Sequence, residues 1–531
     1  MHMKRRQFLA GAAGTLVGLS SARAVFAQPK GDVLIIGTRS AANSADPHFA
    51  NTQPNIDYAS HIFEKLVERD EHSRPINAGL AESWKLLSDT VWEFKLKPNV
   101  RWHDGKEFSA EDVAFSLGRV PNVPNSPGGF ASYIQSISNV EVVDKLTVRI
   151  HTSVPFANLP RAVGTIYIVS KHVGENATTA DYNSGKAAIG TGPYRYERLQ
   201  LNVEASFLRN DDYWGKKPAW ARVRMRSIAN DGSRIAALLS GDIHLADQIP
   251  TADLDHLKSN ADISIGQIEG MRSVFLMPNV SREDGLPLIT AKDGSPLARN
   301  PLRDLRVRKA LSLAIDRKLL VDRIMNGAAE ANGQWIPPGA YSYDPAIPVP
   351  QANVQEARQL LTAAGYPDGF RISLFSTNDR YPNDARIAQA IGQMWSRAGI
   401  AVNVSALPYT VFASRARKQE FPIHMLGWGN SAGDASTGLM NVVGTYNPQT
   451  GWGAANDGRY SNPKLDAMTA EALATMQEDL REERLQGAVK VAIDDLAIIP
   501  LYQVNPVWAV RKGLRHNARA DERTSAIDMS I

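Results

Sequence analysis

Two adjacent carboxylates, Asp494 and Asp495, are residues of this 531-residue chain whose types could support acid–base catalysis. Such catalysis needs two carboxyl groups that face one point. The stretch around the pair has a helical pattern, and side chains at neighbouring helical positions point apart. The chain also lacks the H-E-x-x-H, G-x-x-x-x-G-K and helix-opening G-x-G-x-x-G motifs. The sequence therefore predicts that the protein is not an enzyme.

Metal-ligating residues are sparse and scattered. The chain has 11 His and no Cys, and its histidines form no H-x-H or H-x3-H cluster. His424 is the histidine that could approach a cleft, although alternation along its predicted strand could equally bury it. The absence of cysteine also excludes disulfides and thiolate nucleophiles. We expect no metal site and no cofactor, and a nickel chelate stays open only as an alternative solute.

The positive charge of the chain lies at its N-terminus. The formal net charge is +4, and the first 27 residues contain Lys4, Arg5, Arg6 and Arg23 but no acid. The remainder is therefore formally neutral, with both signs interspersed. A neutral chain has no electrostatic reason to bind phosphate backbones, so we expect no nucleic-acid partner.

The N-terminal stretch has the pattern of an export signal. A basic region precedes an apolar run from Phe8 to Leu19, and small residues lead to a cleavage site after Ala27. The apolar run is too short to span a bilayer, which needs about 20 residues. The "RRQFL" run is similar to twin-arginine signals. We predict a twin-arginine-type signal peptide over residues 1–27, export by that machinery and a periplasmic mature protein.

The first part of the mature chain is predicted to contain a buried strand, "GDVLIIGT", followed by an α+β unit. In "TVWEFKLKPNVRWHDG" the residues alternate, with Trp92 on one face and Glu93 on the other, as in a half-buried strand that leads to a turn. Ser109 precedes Asp112 by three residues, which is typical of a helix start. The segment "VEVVDKLTVRI" predicts two strands folded at residues 144–145.

The second part alternates helical and strand patterns. The strongest helical pattern ends at Asn326-Gly327 and comprises Val307, Leu311, Ala314, Ile315 and Ile324. The segments "EARQLLTAAG", "RISLFS", "ARIAQAIGQMWSRAG" and "IAVNVSAL" then predict an α/β unit with adjacent parallel strands. Asn462-Pro463 is predicted to start another helix, and "AIIPLY" is predicted to be a buried strand.

Several segments occur together in a recognisable order. They are "SADPHFANTQPNIDYASHIFEKLVERDEHSRPINAGLAESW", "IGTGPYRYERL", "NDDYWGKK", "VRKALSLAIDRKLLVDRIMNGAA", "EARQLLTAAGYPDGF", "MLGWGN", "RYSNPKLDAM" and "IIPLY". In this order they resemble the extracellular solute-binding proteins, family 5. That group includes the oligopeptide-, dipeptide- and nickel-binding proteins of ABC importers. The likeness covers nearly everything after the signal.

The resemblance implies an α/β, two-lobed periplasmic-binding-protein fold of type II, with a hinge and an extra inserted α+β subdomain. Lobe I would comprise residues 28–48, 170–270 and 490–531, the inserted subdomain residues 49–169, and lobe II residues 271–489. The implied function is that of a periplasmic substrate-binding component. As a monomer, it would capture a small peptide or peptide-like solute and deliver it to the permease and ATPase subunits of an ABC importer.

The resemblance also implies a set of ligand-binding residues. Some match a segment that runs beside a bound peptide, some match pocket aromatics, and some lie near positions that meet a ligand carboxylate or offer backbone groups. They are Asn51, Gln53, Phe130, Arg380, Tyr381, Tyr409, Arg415, Arg417, Gly427, Trp428 and Gly429.

One position departs from the family pattern. Peptide binders of this family place an Asp three residues after the Trp to hold the ligand ammonium, and this chain has Ser431 there. A hydroxyl does not replace a carboxylate, and an unpaired ammonium in a closed cleft is costly. The solute would then be a modified or acylated peptide, an opine-like or γ-linked compound, or an oligosaccharide. Alternatively another acid, such as Asp434, reaches the ligand.

Overall fold

The computed structural model describes residues 33–72, 76–126, 130–430 and 433–531. The predicted signal peptide and Ser431 lie outside these residues. The strands are β1 (Val33–Thr38), β2 (Val67–Arg69), β3 (Ile76–Ala78), β4 (Ala81–Ser88), β5 (Val91–Leu96), β6 (Ile137–Asp144), β7 (Thr147–Thr152), β8 (Tyr194–Gln200), β9 (Glu204–Arg209), β10 (Arg222–Ser227), β11 (Leu245–Ala246), β12 (Ile263–Gln267), β13 (Arg272–Pro278), β14 (Ile289–Thr290), β15 (Ala329–Ala331), β16 (Arg371–Thr377), β17 (Ala401–Leu407), β18 (Ile423–Gly429), β19 (Ile499–Val504), β20 (Val507–Arg511), β21 (Arg515–His516) and β22 (Met529–Ser530).

Helices cover the sheets and connect their strands. They are α1 (Gln53–Ile62), α2 (Ala110–Arg119), α3 (Ala131–Ile134), α4 (Leu159–Val163), α5 (Lys171–Gly174), α6 (Thr179–Asn183), α7 (Asp231–Ser240), α8 (Leu254–Ser259), α9 (Leu305–Leu313), α10 (Arg317–Arg323), α11 (Val354–Ala363), α12 (Asp384–Arg397), α13 (Tyr409–Arg417), α14 (Ser436–Gly438), α15 (Pro463–Ala474) and α16 (Glu478–Asp494). Within the described ranges, no helix is both long and apolar enough to cross a membrane.

The first sheet has seven strands in the order β12-β20-β11-β1-β10-β9-β8. Its central strand β1 runs parallel to β10 and β11, while the other pairs are antiparallel. Leu34 and Ile36 of β1 are fully buried. A central strand that is covered on both faces needs such an apolar run, so the predicted buried strand in "GDVLIIGT" is confirmed.

The second sheet has the order β14-β16-β18-β13-β19-β15, and β17 pairs with β16. Strands β16 and β17 are parallel over their whole lengths, from Arg371 opposite Ala401 to Thr377 opposite Leu407. Helix α12 connects them, which is the arrangement that parallel neighbours require. The predicted parallel α/β unit is therefore confirmed. The "AIIPLY" strand is also confirmed, because β19 is buried along its whole length.

The chain crosses between the two sheets twice at neighbouring places. It passes from β12 to β13 and returns from β19 to β20. Since β12 pairs with β20 and β13 pairs with β19, the two crossings lie side by side. Gly270 stands in the first crossing, and a Cβ atom there would lie 2.1 Å from the Val504 carbonyl oxygen. Glycine therefore permits the close approach of the two crossing segments.

A third unit consists of the sheet β4-β5-β7-β6 and helix α2. The Ser109 amide donates to Asp112 Oδ2 at 2.9 Å at the start of α2, as predicted. The predicted hairpin at residues 144–145 joins β6 to β7. The predicted alternation of β5 is confirmed, because Phe94 is buried and Lys95 is exposed. Glu93, on the same face as Lys95, is nevertheless buried between its cross-strand neighbours. Its carboxylate lies 3.0 Å from Arg149 Nε and 3.3 Å from Lys85 Nζ.

The strongest predicted helix is divided in two. Helix α9 ends at Leu313 and α10 begins at Arg317, so the prediction of one helix up to residues 326–327 is wrong. The cause is Asp316, whose carboxylate accepts from the Leu319 amide at 2.9 Å and caps a new helix. The predicted start of α15 is confirmed, because the Asn462 side chain accepts from the Lys464 amide at 3.0 Å.

Each of the three units packs its own apolar interior. Fully buried residues include Ile36 in the first sheet, Phe94 in the four-stranded unit and Leu276 in the second sheet, and each belongs to a separate cluster. A structural domain has its own hydrophobic core, and each of these three units has one. The lobe boundaries predicted above stay predictions.

Candidate functional site

A cavity of about 330 Å³ lies where the four-stranded unit, the second sheet and the C-terminal segment meet. Its walls come from residues 51–69, 130–165, 271–272, 380–430, 454–457 and 519–522. Ten of the predicted binding residues line this cavity, and they are Asn51, Gln53, Phe130, Arg380, Tyr381, Tyr409, Arg417, Gly427, Trp428 and Gly429. The fold therefore brings together residues that are up to 378 positions apart in the sequence.

Tyr381 and Gly427 form one wall. The Gly427 amide donates to the Tyr381 hydroxyl at 2.9 Å, and this hydroxyl lies 3.3 Å from the Gly427 carbonyl oxygen, to which it can donate. A Cβ atom at Gly427 would lie 2.7 Å from the Tyr381 ring, so only glycine permits this approach. The Gly427 backbone groups are thus engaged by Tyr381, and a solute must replace this hydroxyl in order to bind them.

Trp428 supplies a half-buried aromatic surface beside that wall. Its indole nitrogen lies 3.4 Å from the Thr437 hydroxyl oxygen, which orients the ring. An indole offers a large apolar face that can bind an alkyl or aromatic group, or the plane of an amide.

Arg380 and Tyr409 stack at the same side of the cavity, with the guanidinium carbon 4.7 Å from the ring centroid. Arg417, at the end of α13, also lines the cavity. Arg415 does not line it. Its side chain lies 2.7 Å from the Glu420 carboxylate and stacks against Phe375 and Phe421.

The opposite wall includes two predicted polar residues and an aromatic. Gln53 donates to the Asp57 carboxylate at 2.8 Å, and this carboxylate also accepts from the Thr524 amide at 3.0 Å. Asn51 stands two residues earlier and lines the cavity. Phe130 borders the cavity but is only 2% exposed, since most of its ring packs into the interior of the four-stranded unit.

Of the remaining two predicted residues, only Asp434 lies in the described part of the chain, and it does not line the cavity. Ser431 lies outside that part. Asp434 is fully buried, and its carboxylate accepts from the Asn158 side chain at 2.7 Å and from the Ser436 amide at 2.9 Å. These contacts direct Asp434 towards residues 158 and 436.

Six cations and four carboxylates line the cavity, and sequence reasoning identified only two of the ten. The cations are Lys65, Arg69, Arg272, Arg380, Arg417 and Arg519, and the carboxylates are Glu68, Asp457, Asp521 and Glu522. Most of the carboxylates are paired. Arg272 contacts Glu522 through two distances of 2.8 Å, and Arg519 contacts Asp521 at 2.8 and 3.0 Å.

The pKa values of these groups follow from burial and pairing. Burial alone would lower the pKa of Arg272, but Glu522 beside it raises that pKa above its ordinary value. Burial would raise the pKa of Asp521, but Arg519 holds it well below the usual range. Asp457 has no such bidentate partner, and burial raises its pKa to about 6.

Asn430 is a further residue that the sequence did not indicate. Its side chain is 1% exposed, it lines the cavity, and neither its oxygen nor its nitrogen has a partner among the described residues. An unpartnered buried amide is costly unless a solute or water satisfies it. Its place next to Gly429 is the only local signal in the sequence.

His424 does not reach the cavity lining. It is 1% exposed, it packs edge-on against Phe412 and Phe421, and burial lowers its pKa to about 4. A search of the described residues finds no group of three His, Cys, Asp or Glu side chains that could hold a metal ion. The sequence left two alternatives for His424, approach to a cleft or burial in its strand, and the structure shows burial.

The chain has clear relatives. Residues 75–450 match the model of the bacterial extracellular solute-binding proteins, family 5. The chain is 25% identical to the dipeptide-binding protein of Escherichia coli over 94% of each chain. It is 25% identical to heme-binding protein A of Haemophilus influenzae over 83% of this chain and 81% of the relative.

A solved structure supports the same assignment at the level of the fold. The ABC transporter-associated periplasmic binding protein DppA from Helicobacter pylori, in complex with peptide STSA, superimposes with a TM-score of 0.80. It shares 22% identity and covers 94% of this chain and 98% of its own. The predicted α/β two-lobed fold of periplasmic binding proteins is therefore confirmed. The chain belongs to the bacterial extracellular solute-binding proteins, family 5.

Proposed function

We propose that this chain is the substrate-binding component of an ABC importer. It captures a small peptide or peptide-like solute and passes it unaltered to the membrane permease and its ATPase. The observation that carries the proposal is the cavity of about 330 Å³, whose lining combines Trp428, the Arg380–Tyr409 stack and the unpartnered amide of Asn430. We also propose that the protein is not an enzyme, because the relatives described above are named as binding proteins.

The chemistry of the walls suits a short peptide. Aromatic faces accommodate variable side chains, guanidinium groups bind a carboxylate, and side-chain amides pair with peptide backbone groups. Tyr381 can exchange its hydrogen bonds with Gly427 for bonds to a solute, so the edge of β18 becomes available on binding. Peptides named for two relatives, the dipeptide-binding protein and the STSA complex, support this class of solute.

Capture is proposed to involve a hinge at the two side-by-side crossings, residues 268–271 and 505–506. The cavity lies next to the first crossing, since Met271 and Arg272 line it. Rotation about two short segments would close the predicted lobe II, residues 271–489, over a solute held by lobe I and the inserted unit. The solute contacts both sides and so stabilises the closed form.

The proposed location is the periplasm, reached through the twin-arginine pathway directed by residues 1–27. The "RRQFL" run and the neutral remainder of the chain support this proposal. Replacing Arg5 and Arg6 by Lys is expected to retain the precursor in the cytoplasm, which cell fractionation measures. Export of this variant at the normal rate would contradict the twin-arginine proposal.

The function is tested by calorimetry on the mature chain with a panel of dipeptides and tripeptides. We expect at least one peptide to bind with one-to-one stoichiometry and to raise the melting temperature, since a ligand of the native state stabilises it. Mass spectrometry of the mixture after incubation should return the peptide intact. Absence of binding across the panel, or cleavage of the peptide, would contradict the proposal.

A non-peptide solute such as an opine is the second candidate. The surplus of cations over carboxylates in the cavity favours it, because such a lining suits an acidic compound that lacks an ammonium group. An oligosaccharide or a nickel chelate has no comparable support from the described lining.

A further inference from the structure

Four of the cations that line the cavity have no carboxylate within ion-pair distance in the described part of the chain. They are Lys65, Arg69, Arg380 and Arg417. Arg380 and Arg417 lie on the second-sheet side, where the family resemblance already places a ligand carboxylate. Lys65 and Arg69 lie on the opposite wall, in the segment that leads into β2 and forms it. The family resemblance implies no ligand-binding role for either residue.

Arg69 has a donor that lacks an acceptor. Its Nη2 atom is buried and has no hydrogen-bond partner among the described residues. Burial lowers the pKa of this guanidinium, and the neighbouring Arg161 lowers it further. A buried donor without an acceptor destabilises a protein, so an acceptor supplied by a solute would remove this cost.

Lys65 faces the same region. Its Nζ atom lies 4.7 Å from the Tyr167 ring centroid, which orients the ammonium without neutralising it. Burial, with a smaller contribution from the positive charges of Arg523 and Arg69, lowers its pKa to about 8, although Glu68 and Asp521 oppose the shift. Lys65 and Arg69 thus repel one another in a region from which water is partly excluded, which strengthens their attraction for an anion.

The acidic side chains nearby already have other partners. Asp434, whose charge acts on Arg69, accepts hydrogen bonds from Asn158 and Ser436. The two carboxylates whose charges act on Lys65 are Glu68 and Asp521. Glu68 lies 3.7 Å from Arg523, and Asp521 is bound by Arg519. Asp457 lies in the 454–457 part of the lining, beside Arg417 and Arg459 rather than beside Lys65.

We infer that Lys65 and Arg69 form a second anion-binding subsite, so that the captured solute carries a carboxylate at each end, one for each wall. This inference rests on the proposed function. Arg69 donates to one solute carboxylate in a forked geometry, and Lys65 adds a point charge beside it. A free ammonium at this wall meets the like charges of Lys65 and Arg69, so the favoured solutes are diacidic and lack a free amine at that end.

The test uses three peptide cores, Ala-Ala, Ala-Phe and Ala-Ala-Ala, each as the free amine, the N-acetyl and the N-succinyl derivative. N-succinylation adds a carboxylate at the amino end, while N-acetylation only removes the ammonium. Calorimetry on the mature chain is expected to show at least tenfold tighter binding of an N-succinyl peptide than of its N-acetyl counterpart. This preference should weaken with added salt, because it is electrostatic.

Substitutions of Arg69 and Lys65 test whether the preference for N-succinyl over N-acetyl peptides depends on these two residues. Arg69→Gln and Lys65→Gln are each expected to reduce the succinyl-to-acetyl ratio at least threefold while leaving N-acetyl affinity within twofold, and Arg69→Lys should restore part of the ratio. Arg101→Gln, which removes an exposed arginine of the four-stranded unit paired with Glu107, is the matched control and should retain the wild-type ratio.

The outcomes separate the inference from the proposed function. Binding of free-amine or N-acetyl peptides as tightly as N-succinyl peptides overturns the diacidic solute and leaves peptide capture standing. A succinyl preference that survives in both Arg69→Gln and Lys65→Gln overturns the assignment to these residues. Failure of all nine compounds to bind contradicts peptide capture itself, and the inference falls with it.

Discussion

Arg272 and Glu522, which are 250 positions apart in the sequence, are joined by two hydrogen bonds of 2.8 Å each. Arg272 is the first residue of β13, immediately after the first crossing, and Glu522 lies in the C-terminal segment that follows the return crossing. Both line the cavity. The pair therefore links the second sheet to the C-terminal segment beside the predicted hinge.

Glu522→Gln is expected to destabilise the protein by about 1–3 kcal/mol, because it leaves the half-buried Arg272 guanidinium without its carboxylate. The free energy of unfolding from urea titration measures the change. The control is Glu283→Gln. The Glu283 side chain is 85% exposed and lies 3.4 Å from Arg303, so no measurable change is expected there. Equal effects of the two substitutions would contradict a structural role of the Arg272–Glu522 pair.

Trp428→Ala is expected to weaken solute binding about 10- to 100-fold, because it removes an aromatic contact worth about 1.5–3 kcal/mol from the cavity wall. The melting temperature should change little, since the ring is only half-buried. Calorimetry with the tightest peptide of the panel measures the loss.

Trp92→Ala provides the matched tryptophan control. Trp92 is also half-buried, but it packs in the four-stranded unit and donates to the Phe156 carbonyl oxygen at 3.3 Å, away from the cavity. We expect lower stability and unchanged affinity. A Trp428→Ala variant that binds like wild type would remove Trp428 from the site.

Ser431→Asp is expected to improve the affinity for peptides with a free ammonium about tenfold or more, since it restores the carboxylate found in peptide binders of this family. Ser431→Asn is the control, because it has the same shape without the charge and should show no gain. If the aspartate variant also shows no gain, the solute does not place an ammonium at this position.

The pH dependence of the unfolding free energy should reveal the titration of the Glu64 carboxyl group. Tyr213 and Trp214 donate to its carboxylate at 2.7 and 2.8 Å, yet burial raises its pKa to about 7 from the ordinary 4.5. The native state therefore holds a proton that the unfolded state releases, and this contribution to stability is lost as pH rises from about 4.5 to 7.

Glu64→Gln removes that titration. The difference in unfolding free energy between the variant and wild type should shift in favour of the variant as pH rises through this window, with a slope of up to about 1.4 kcal/mol per pH unit. Urea titrations at pH 4.5, 6 and 7.5 provide the comparison. A difference that is constant across these pH values would place the pKa of Glu64 near its ordinary value.

The sequence predicts helix starts correctly where they depend on hydrogen bonds between residues that are close in the chain. The Ser109–Asp112 pair and Asn462 start helices through hydrogen bonds to residues two or three positions away, so their spacing alone identifies them. Asp316 uses the same chemistry, but an apolar pattern continues on both sides of it and hides the break between α9 and α10. Glu93 is buried because of Lys85 and Arg149 on neighbouring strands, which strand alternation does not reveal.

The site could be predicted only where the family resemblance marked a segment. Tyr381 and Trp428 stand in such segments and line the cavity. Arg69, Arg519 and Glu522 come together only through the fold, and no spacing in the sequence connects them. Arg415 has the same residue type as Arg417, yet it contacts Glu420 and does not line the cavity, because side chains two positions apart on a helix such as α13 point to opposite sides.

Native mass spectrometry of the protein purified without denaturation tests the central claim most directly. The account predicts one small solute bound to each protein molecule, released on unfolding and chemically identical to the compound present in the growth medium. A protein that retains no solute and binds none when incubated with a fresh extract of that medium would contradict the account. Recovery of the solute in a chemically converted form would contradict it equally.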